Sequence, residues 1–345
     1  MEFLFQHGEL GVNFFFVLSG FLITYLLIRE VEASGSIDVK KFYIRRILRI
    51  WPLFYLCVFI GFVVWPVVKY LAGTAPTETS NVWYYIFLAN NFDYIHQQSI
   101  SDQLFPDALI LIVLWSVAVE EQFYLTWPVI LKYIPKKIYP LIFCAIIIFT
   151  IGFRFFYARE APVDFHAHAV LKFHTFAVIG DMAVGALMAY YCSMEGKFLS
   201  LISNLKKGHL LCIYLGVAIM ILFSDPLFAQ SPYTLTVKRI VISVLFGLVI
   251  LEQNFCKHSL FKFSSFKRIS KLGTYTYGLY CFHFFVISTV GGAFRKSGLA
   301  LDNPGTALFA SVLSLLLTII LCRISYKYYE KPFLKLKDRF AFITR

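Results

Sequence analysis

Two adjacent carboxylates stand in the middle of an apolar run. The stretch Leu114 to Pro128 reads LWSVAVEEQFYLTWP and lies within residues 108–131, a run long enough to cross a bilayer. An ionised group at membrane depth costs several kcal/mol, so Glu120 and Glu121 indicate a function. Either a carboxylate lines an aqueous or substrate cavity as acid, base or cation partner, or it forms a structural ion pair. Adjacent positions are about 100° apart on a helix, so the two face different ways.

Three arginines form a second candidate site, in the stretch FYIRRILRIWP where the second predicted span begins. If the helix starts this early, Arg46 and Arg49 share a face, with Arg45 beside them. Their forked donors suit a phosphate-bearing ligand. The alternative is binding of lipid headgroups and control of topology.

His283 is a further candidate, within the apolar stretch LGTYTYGLYCFHFFV. One interpretation is a structural role, as a buried histidine hydrogen-bonded to a neighbour. An imidazole ordinarily titrates close to neutral pH, so proton transfer remains open.

Other polar groups indicate weaker sites. The spacing of His166, His168 and His174 with Asp164 matches no standard metal site, so we expect a polar loop and no metal. His174 and Asp181 are seven apart, which predicts one helix face and a structural polar contact. His7, in the lead before the first span, is expected to be a surface residue.

The elements that must position these residues are membrane helices. Of the 345 residues, 59% are hydrophobic and only 15% are charged, which predicts an all-α, polytopic membrane helical bundle. The net charge of +12 comes from basic residues clustered between apolar runs. These predict topology signals and contacts with membrane lipids rather than nucleic-acid binding. The seven cysteines form no C-x-x-C pair and are expected to be small buried hydrophobes.

The charge pattern predicts about nine spans, with the N-terminus outside and the C-terminus cytoplasmic. Arg154 and Arg239 are placed at outer sites, and the basic stretch 29–49 in an inner loop. Residues 82–89 are apolar but too short to span, and predict a re-entrant or interfacial segment. The predicted spans are residues 11–28, 50–71, 108–131, 138–157, 170–192, 209–223, 237–254, 272–294 and 306–328.

Four blocks in this order resemble the integral-membrane acyltransferase 3 family, which includes bacterial O-antigen and exopolysaccharide O-acetylases. The blocks are GELGVNFFFVLSGFLIT from Gly8, FYIRRILRIWPLFY from Phe42, LWSVAVEEQFYLTWP from Leu114 and LGTYTYGLYCFHF from Leu272. A closing SYKYYEKPFLK fits the family's C-terminal end. The resemblance implies one acyltransferase domain over residues 1–333 and a basic cytoplasmic tail over residues 334–345.

The resemblance implies transfer of an acyl group, expected to be acetyl, from acyl-CoA to a hydroxyl of a carbohydrate or lipid-linked saccharide. It places the family's R-x-x-R signature on Arg46 and Arg49 and its carboxylate on Glu120, with no tightly bound cofactor. It also implies the bacterial inner membrane. The alternatives are a non-catalytic or truncated member, or a carrier or flippase of a lipid-linked sugar.

One departure from the family concerns its first span. Members usually begin with a further span that carries an arginine and a histidine, and that histidine is the implied catalytic base. This sequence starts at Met1, only a few residues before the Gly8 block, and His7 lies too close to that block to be its equivalent. We therefore expect that span, and its histidine, to be absent here.

Overall fold

The computed structural model describes residues 8–73, 75, 80–100, 108–159, 164–194, 196–228, 231–299 and 301–340. Every regular element in these ranges is a helix, as predicted. The second helix runs through a π-helical turn, Ile60–Val64, before it ends. In chain order the helices are α1 (Gly8–Ser34), α2 (Val39–Leu71), α3 (Val82–Ile86), α4 (Asn90–Ile100), α5 (Leu114–Tyr133), α6 (Tyr139–Ala158), α7 (Phe165–Phe173), α8 (Thr175–Ser193), α9 (Lys197–Ser203), α10 (Lys207–Leu227), α11 (Pro232–Phe255), α12 (Lys267–Leu272), α13 (Thr276–Lys296), α14 (Pro304–Ser325) and α15 (Lys331–Asp338).

Seven helical stretches in the described ranges are long and apolar enough to cross a membrane, or eight if the bent pair α9 and α10 is one span. The predicted integral membrane bundle is therefore confirmed in kind, whereas the count of nine and the orientation of the termini stay predictions. The third predicted span corresponds to α5, which is absent from the seven. Glu120, Glu121 and Gln122 make the centre of α5 polar.

The chain divides into two compact units. The first unit comprises Met1–Ile37, Gln98–Asp102 and Val119–Ser265, and the second unit comprises Asp38–Gln97, Gln103–Ala118 and Phe266–Arg345. The first unit holds Glu120 and the polar groups of α8 and α11. The second unit holds the arginines of α2 and His283. The two units are described separately below.

The core of the first unit is the close crossing of α1 and α8. A Cβ at Gly20 would overlap the backbone carbonyl of Met182, and a Cβ at Gly185 would overlap that of Val17. Small residues allow membrane helices to approach this closely. The glycine of the LSGF block therefore has a packing role.

In the second unit, α2 begins well before the predicted span. Gly35 ends α1 in the left-handed region at φ 80°, and Asp38 caps α2 by accepting from the backbone N–H of Lys41 at 3.0 Å. The prediction of a loop over residues 29–49 was wrong, because these two residues confine the break between the helices to residues 35–38. Arg45, Arg46 and Arg49 accordingly lie on helix, as the face-sharing argument required. The placement of residues 29–49 on the inner side stays a prediction.

The segment after α2 contains a buried polar cluster outside the candidate spans. As predicted for residues 82–89, the helix there, α3, is too short to cross a membrane. Gln97 on α4 donates to Asp93 at 2.8 Å and to Ser80 at 3.1 Å, and the hydroxyls of Tyr85 and Tyr94 meet. Burial raises the pKa of Asp93 and of both tyrosines.

Candidate functional site

Glu120 is a buried carboxylate held by two hydroxyl groups. Its Oε1 accepts from Ser19 Oγ at 2.6 Å and from the hydroxyl of Tyr124, one turn further along α5. Ser19 is 5% exposed, Glu120 4% and Tyr124 4%, so each hydroxyl replaces water as a donor to the carboxylate. These contacts fix the rotamer of Glu120 and tie α5 to α1.

Further hydrogen bonds hold α5 in place on either side of Glu120. Trp127 Nε1 donates to Thr24 Oγ1 of α1 at 2.8 Å, with both side chains fully buried. The hydroxyl of Thr175, at the start of α8, donates to Gln122 Oε1. Trp127 therefore positions α5 through its N–H.

Glu121 is buried as well, at 9% exposure. Only Glu120 has the hydroxyl pair from Ser19 and Tyr124. The choice of Glu120 over Glu121 stays a prediction, and the geometry at Ser19 supports it.

Asp181 pairs with Arg239, which was predicted to lie at the outer end of the span 237–254. Arg239 of α11 reaches the two oxygens of Asp181 at 2.5 and 3.2 Å, and Ser243 donates to the same carboxylate at 2.9 Å. The predicted shared helix face of His174 and Asp181 was wrong, because the chain breaks at His174. The His174 ring instead caps α8 by accepting from the N–H of Phe176 at 3.1 Å.

Arg154 is a second buried arginine, and it too lies near the end of a predicted span, residues 138–157. It lies on α6 at 7% exposure and donates to the carbonyls of Leu171 at 2.8 Å and Ala177 at 3.1 Å. Its Nε donates to Thr236 on α11 at 3.2 Å. Arg154 thus donates to a carbonyl in the last turn of α7, where carbonyls lack helical partners, and to a second carbonyl in the first turn of α8. An arginine near the end of an apolar run was the available signal.

Asp164, near the outer histidines, serves local structure. Asp164 caps α7 by accepting from the N–H of His166 at 2.9 Å. The described residues include no group of three or more His, Cys, Asp or Glu side chains that could hold a metal. His7 lies outside the described residues.

The three arginines of the second candidate site lie on α2. Arg45 Nη1 donates to the carbonyl of Phe340 at 2.9 Å, and the Arg46 guanidinium lies over the Phe42 ring at 5.5 Å. Arg49 is exposed. The structure therefore places Arg46 and Arg49 one turn apart, with Arg45 bound to the C-terminal segment.

His283 lies half-buried on α13 in the second unit. Its Nδ1 is 2.6 Å from the carbonyl oxygen of Tyr280. Because a carbonyl only accepts, Nδ1 carries the hydrogen and Nε2 of the neutral ring presents a lone pair. The Tyr280 hydroxyl bonds in turn to Val113 O at 2.8 Å and to Ser116. His283 is thus set in the tautomer that a base acting through Nε2 requires.

Comparison with known proteins gives the family of the chain. The acyltransferase 3 family, described as "Acyltransferase domain", matches residues 2–323. The chain belongs to this family, which confirms the predicted resemblance.

Two relatives give the family context. Peptidoglycan O-acetyltransferase OatA of Listeria monocytogenes is 27% identical over 344 residues, which cover 95% of this chain and 51% of that protein. O-acetyltransferase OatA of Staphylococcus aureus is 28% identical over 360 residues, 98% of this chain and 55% of that protein. The chain spans about half the length of these relatives. No solved structure matches the chain significantly.

Proposed function

We propose that the protein transfers an acyl group, acetyl in the first instance, from acyl-CoA to a hydroxyl of a cell-envelope carbohydrate. The observation that carries the proposal is the buried Glu120, fixed by Ser19 and Tyr124 in a family of acyltransferases. The names of the relatives support a peptidoglycan acceptor. The membrane in question would be the bacterial inner membrane.

The arginines of α2 would bind the donor. Arg46 and Arg49 present guanidinium groups one turn apart, and a guanidinium matches the geometry of phosphate oxygens with two parallel N–H groups. CoA carries several phosphates, so its adenosine end would dock at these residues while the thioester extends away. Arg45 would support them by holding the C-terminal segment.

The chemical step is attack of the acceptor oxygen on the thioester carbonyl carbon. A C–O bond forms, the C–S bond breaks, and the electron pair leaves on sulfur. A base accepts the hydroxyl proton, which finally reaches the CoA thiolate. The family resemblance gives this role to the histidine of the family's usual first span, which Glu120 would orient and whose positive charge it would stabilise. His283 is held in the tautomer whose Nε2 can accept a proton.

The test is transfer of label from acetyl-labelled acetyl-CoA to peptidoglycan fragments by purified protein in lipid vesicles. Arg49→Ala is expected to lose transfer, whereas Arg29→Ala, an exposed arginine bonded to Tyr25 and Glu32, serves as the matched control. Full acetyl transfer by Arg49→Ala would show that Arg49 is not needed to bind acyl-CoA. A protein that moves a lipid-linked sugar across vesicles without acylating it would instead be a carrier.

A further inference from the structure

The C-terminal segment of the second unit folds back along α2. The hydroxyl of Tyr329 donates to the carbonyl of Pro52 at 3.0 Å, and Arg45 holds the carbonyl of Phe340. Between these two points α15 packs on α2. The segment is therefore anchored at both ends beside the R-x-x-R turn.

This packing brings a lysine towards the arginines. Lys337 is the half-buried lysine of α15, with 25% of its side chain exposed, and it lies near enough to Arg49 and Arg46 for their positive charges to act on it. The neighbouring helix positions Lys331 and Lys335 are exposed. Lys337 thus lies on a helix that packs on α2 and within electrostatic reach of Arg46 and Arg49.

The acidic groups near this cluster are few among the described residues. Glu330 lies within electrostatic reach of Arg49 and accepts from Ser325 at 3.0 Å. Asp338 is 3.7 Å from Lys337, but 73% of its side chain is exposed. Like charges gathered in a partly buried place repel one another, and a polyanion bound there would remove that cost.

We infer that Lys337 is a third phosphate-binding cation, acting with Arg46 and Arg49 on a polyphosphorylated ligand. The inference rests on the proposed function, in which that ligand is acyl-CoA. The two kinds of side chain would bind phosphate differently. Each arginine guanidinium would hold a phosphate through two parallel N–H groups, and the ammonium group of Lys337 would add a compact positive charge on a flexible side chain. The same chemistry would hold an anionic lipid headgroup.

The experiment compares Lys337→Gln with wild type in phosphatidylcholine vesicles, with acetyl-CoA and with acetyl-pantetheine, which lacks the phosphates. Removing one charge-assisted contact is expected to raise the KM for acetyl-CoA ~10-fold, with kcat unchanged. The KM for acetyl-pantetheine stays constant. Lys337→Arg restores the wild-type value, and the exposed Lys335→Gln on the same helix has no effect.

Direct binding of CoA, measured by calorimetry, separates this inference from the proposed function. Weaker CoA binding by Lys337→Gln supports the role of Lys337 even if no acyl transfer is found. Unchanged binding and unchanged KM overturn it, as does an equal rise in KM for both donors, which indicates a structural role. A loss seen only as weaker association with phosphatidylglycerol vesicles assigns Lys337 to lipid headgroups and overturns the donor role.

Discussion

Ser19 Oγ lies 2.6 Å from Oε1 of Glu120, across 101 positions of sequence. Ser19 belongs to the LSGF block of α1, and Glu120 to the central block of α5. The next residue, Gly20, brings α1 against α8. Two neighbouring residues of one motif therefore do different things: the serine positions the carboxylate and the glycine permits the helix crossing.

The hydroxyl donors of Glu120 are expected to act on the chemical step. Ser19→Ala or Tyr124→Phe should each lower kcat ~10-fold with little change in KM, because a misplaced carboxylate stabilises the transition state less well. Steady-state kinetics of acetyl transfer measure this. Thr126→Val on α5 is the control, since the Thr126 hydroxyl bonds to its own helix. A rise in KM at constant kcat would contradict a positioning role.

Gly20→Ala is expected to destabilise the first unit by ~1–3 kcal/mol, because the new methyl group overlaps the Met182 carbonyl. The midpoint of thermal unfolding in detergent measures the effect. Gly11→Ala is the matched control in α1, since its Cβ would meet nothing within 4 Å. A Gly20→Ala protein as stable as wild type would show that α1 and α8 can move apart enough to accommodate the methyl group.

Asp181→Asn should cost ~3–5 kcal/mol, because it leaves Arg239 buried beside a neutral partner. Adding Arg239→Gln should restore part of that stability, since the remaining charge is then removed. A double-mutant cycle on the free energy of unfolding measures the coupling. Additive effects of the two substitutions would mean that the pair contributes nothing to the fold.

Asp93→Asn is expected to raise the unfolding midpoint by ~2–4 °C at neutral pH and above. Burial raises the pKa of Asp93, so the folded state holds this proton more tightly than the unfolded state. Stability from this group is therefore greatest at acid pH and falls as the pH rises through the raised value. The higher unfolding midpoint of Asp93→Asn should therefore disappear at acid pH.

Asp38→Asn is the control for Asp93→Asn, because the pKa of Asp38 is shifted in the opposite direction. The backbone N–H of Lys41 lowers the pKa of Asp38, so its charged form stabilises the fold at pH values above the ordinary aspartate value. Asn at this cap should therefore bring no gain at neutral pH. A similar rise in the midpoint for both variants would show that burial of Asp93 is not the cause.

The sequence alone was sufficient to predict apolar helices and to predict which residues of one motif share a helix face. Residues 11–28 were predicted as a span and lie within α1, and Arg46 and Arg49 were predicted to share a helix face. These inferences needed only local periodicity and the bilayer's thickness. The donor role of the arginines and the catalytic roles of Glu120 and His283 stay predictions.

The polar pairings could not be predicted, because they join residues far apart in sequence. Arg239 and Asp181 are separated by 58 positions, and the charge pattern placed Arg239 at an outer site without indicating its partner. The break at His174 was missed for another reason: it occurs within an apolar run, without glycine or proline, through a histidine cap. The early start of α2 depended on capping by Asp38.

The most direct test of the account is the activity of Glu120→Gln, which keeps the size of the side chain and removes its charge. Purified wild-type and variant proteins in vesicles would be supplied with labelled acetyl-CoA and a peptidoglycan acceptor, with folding checked by thermal unfolding. A folded Glu120→Gln protein is expected to lose acetyl transfer by ~100-fold or more, because charge stabilisation of the reacting groups is lost. Transfer at the wild-type rate by this variant would contradict the central role of Glu120.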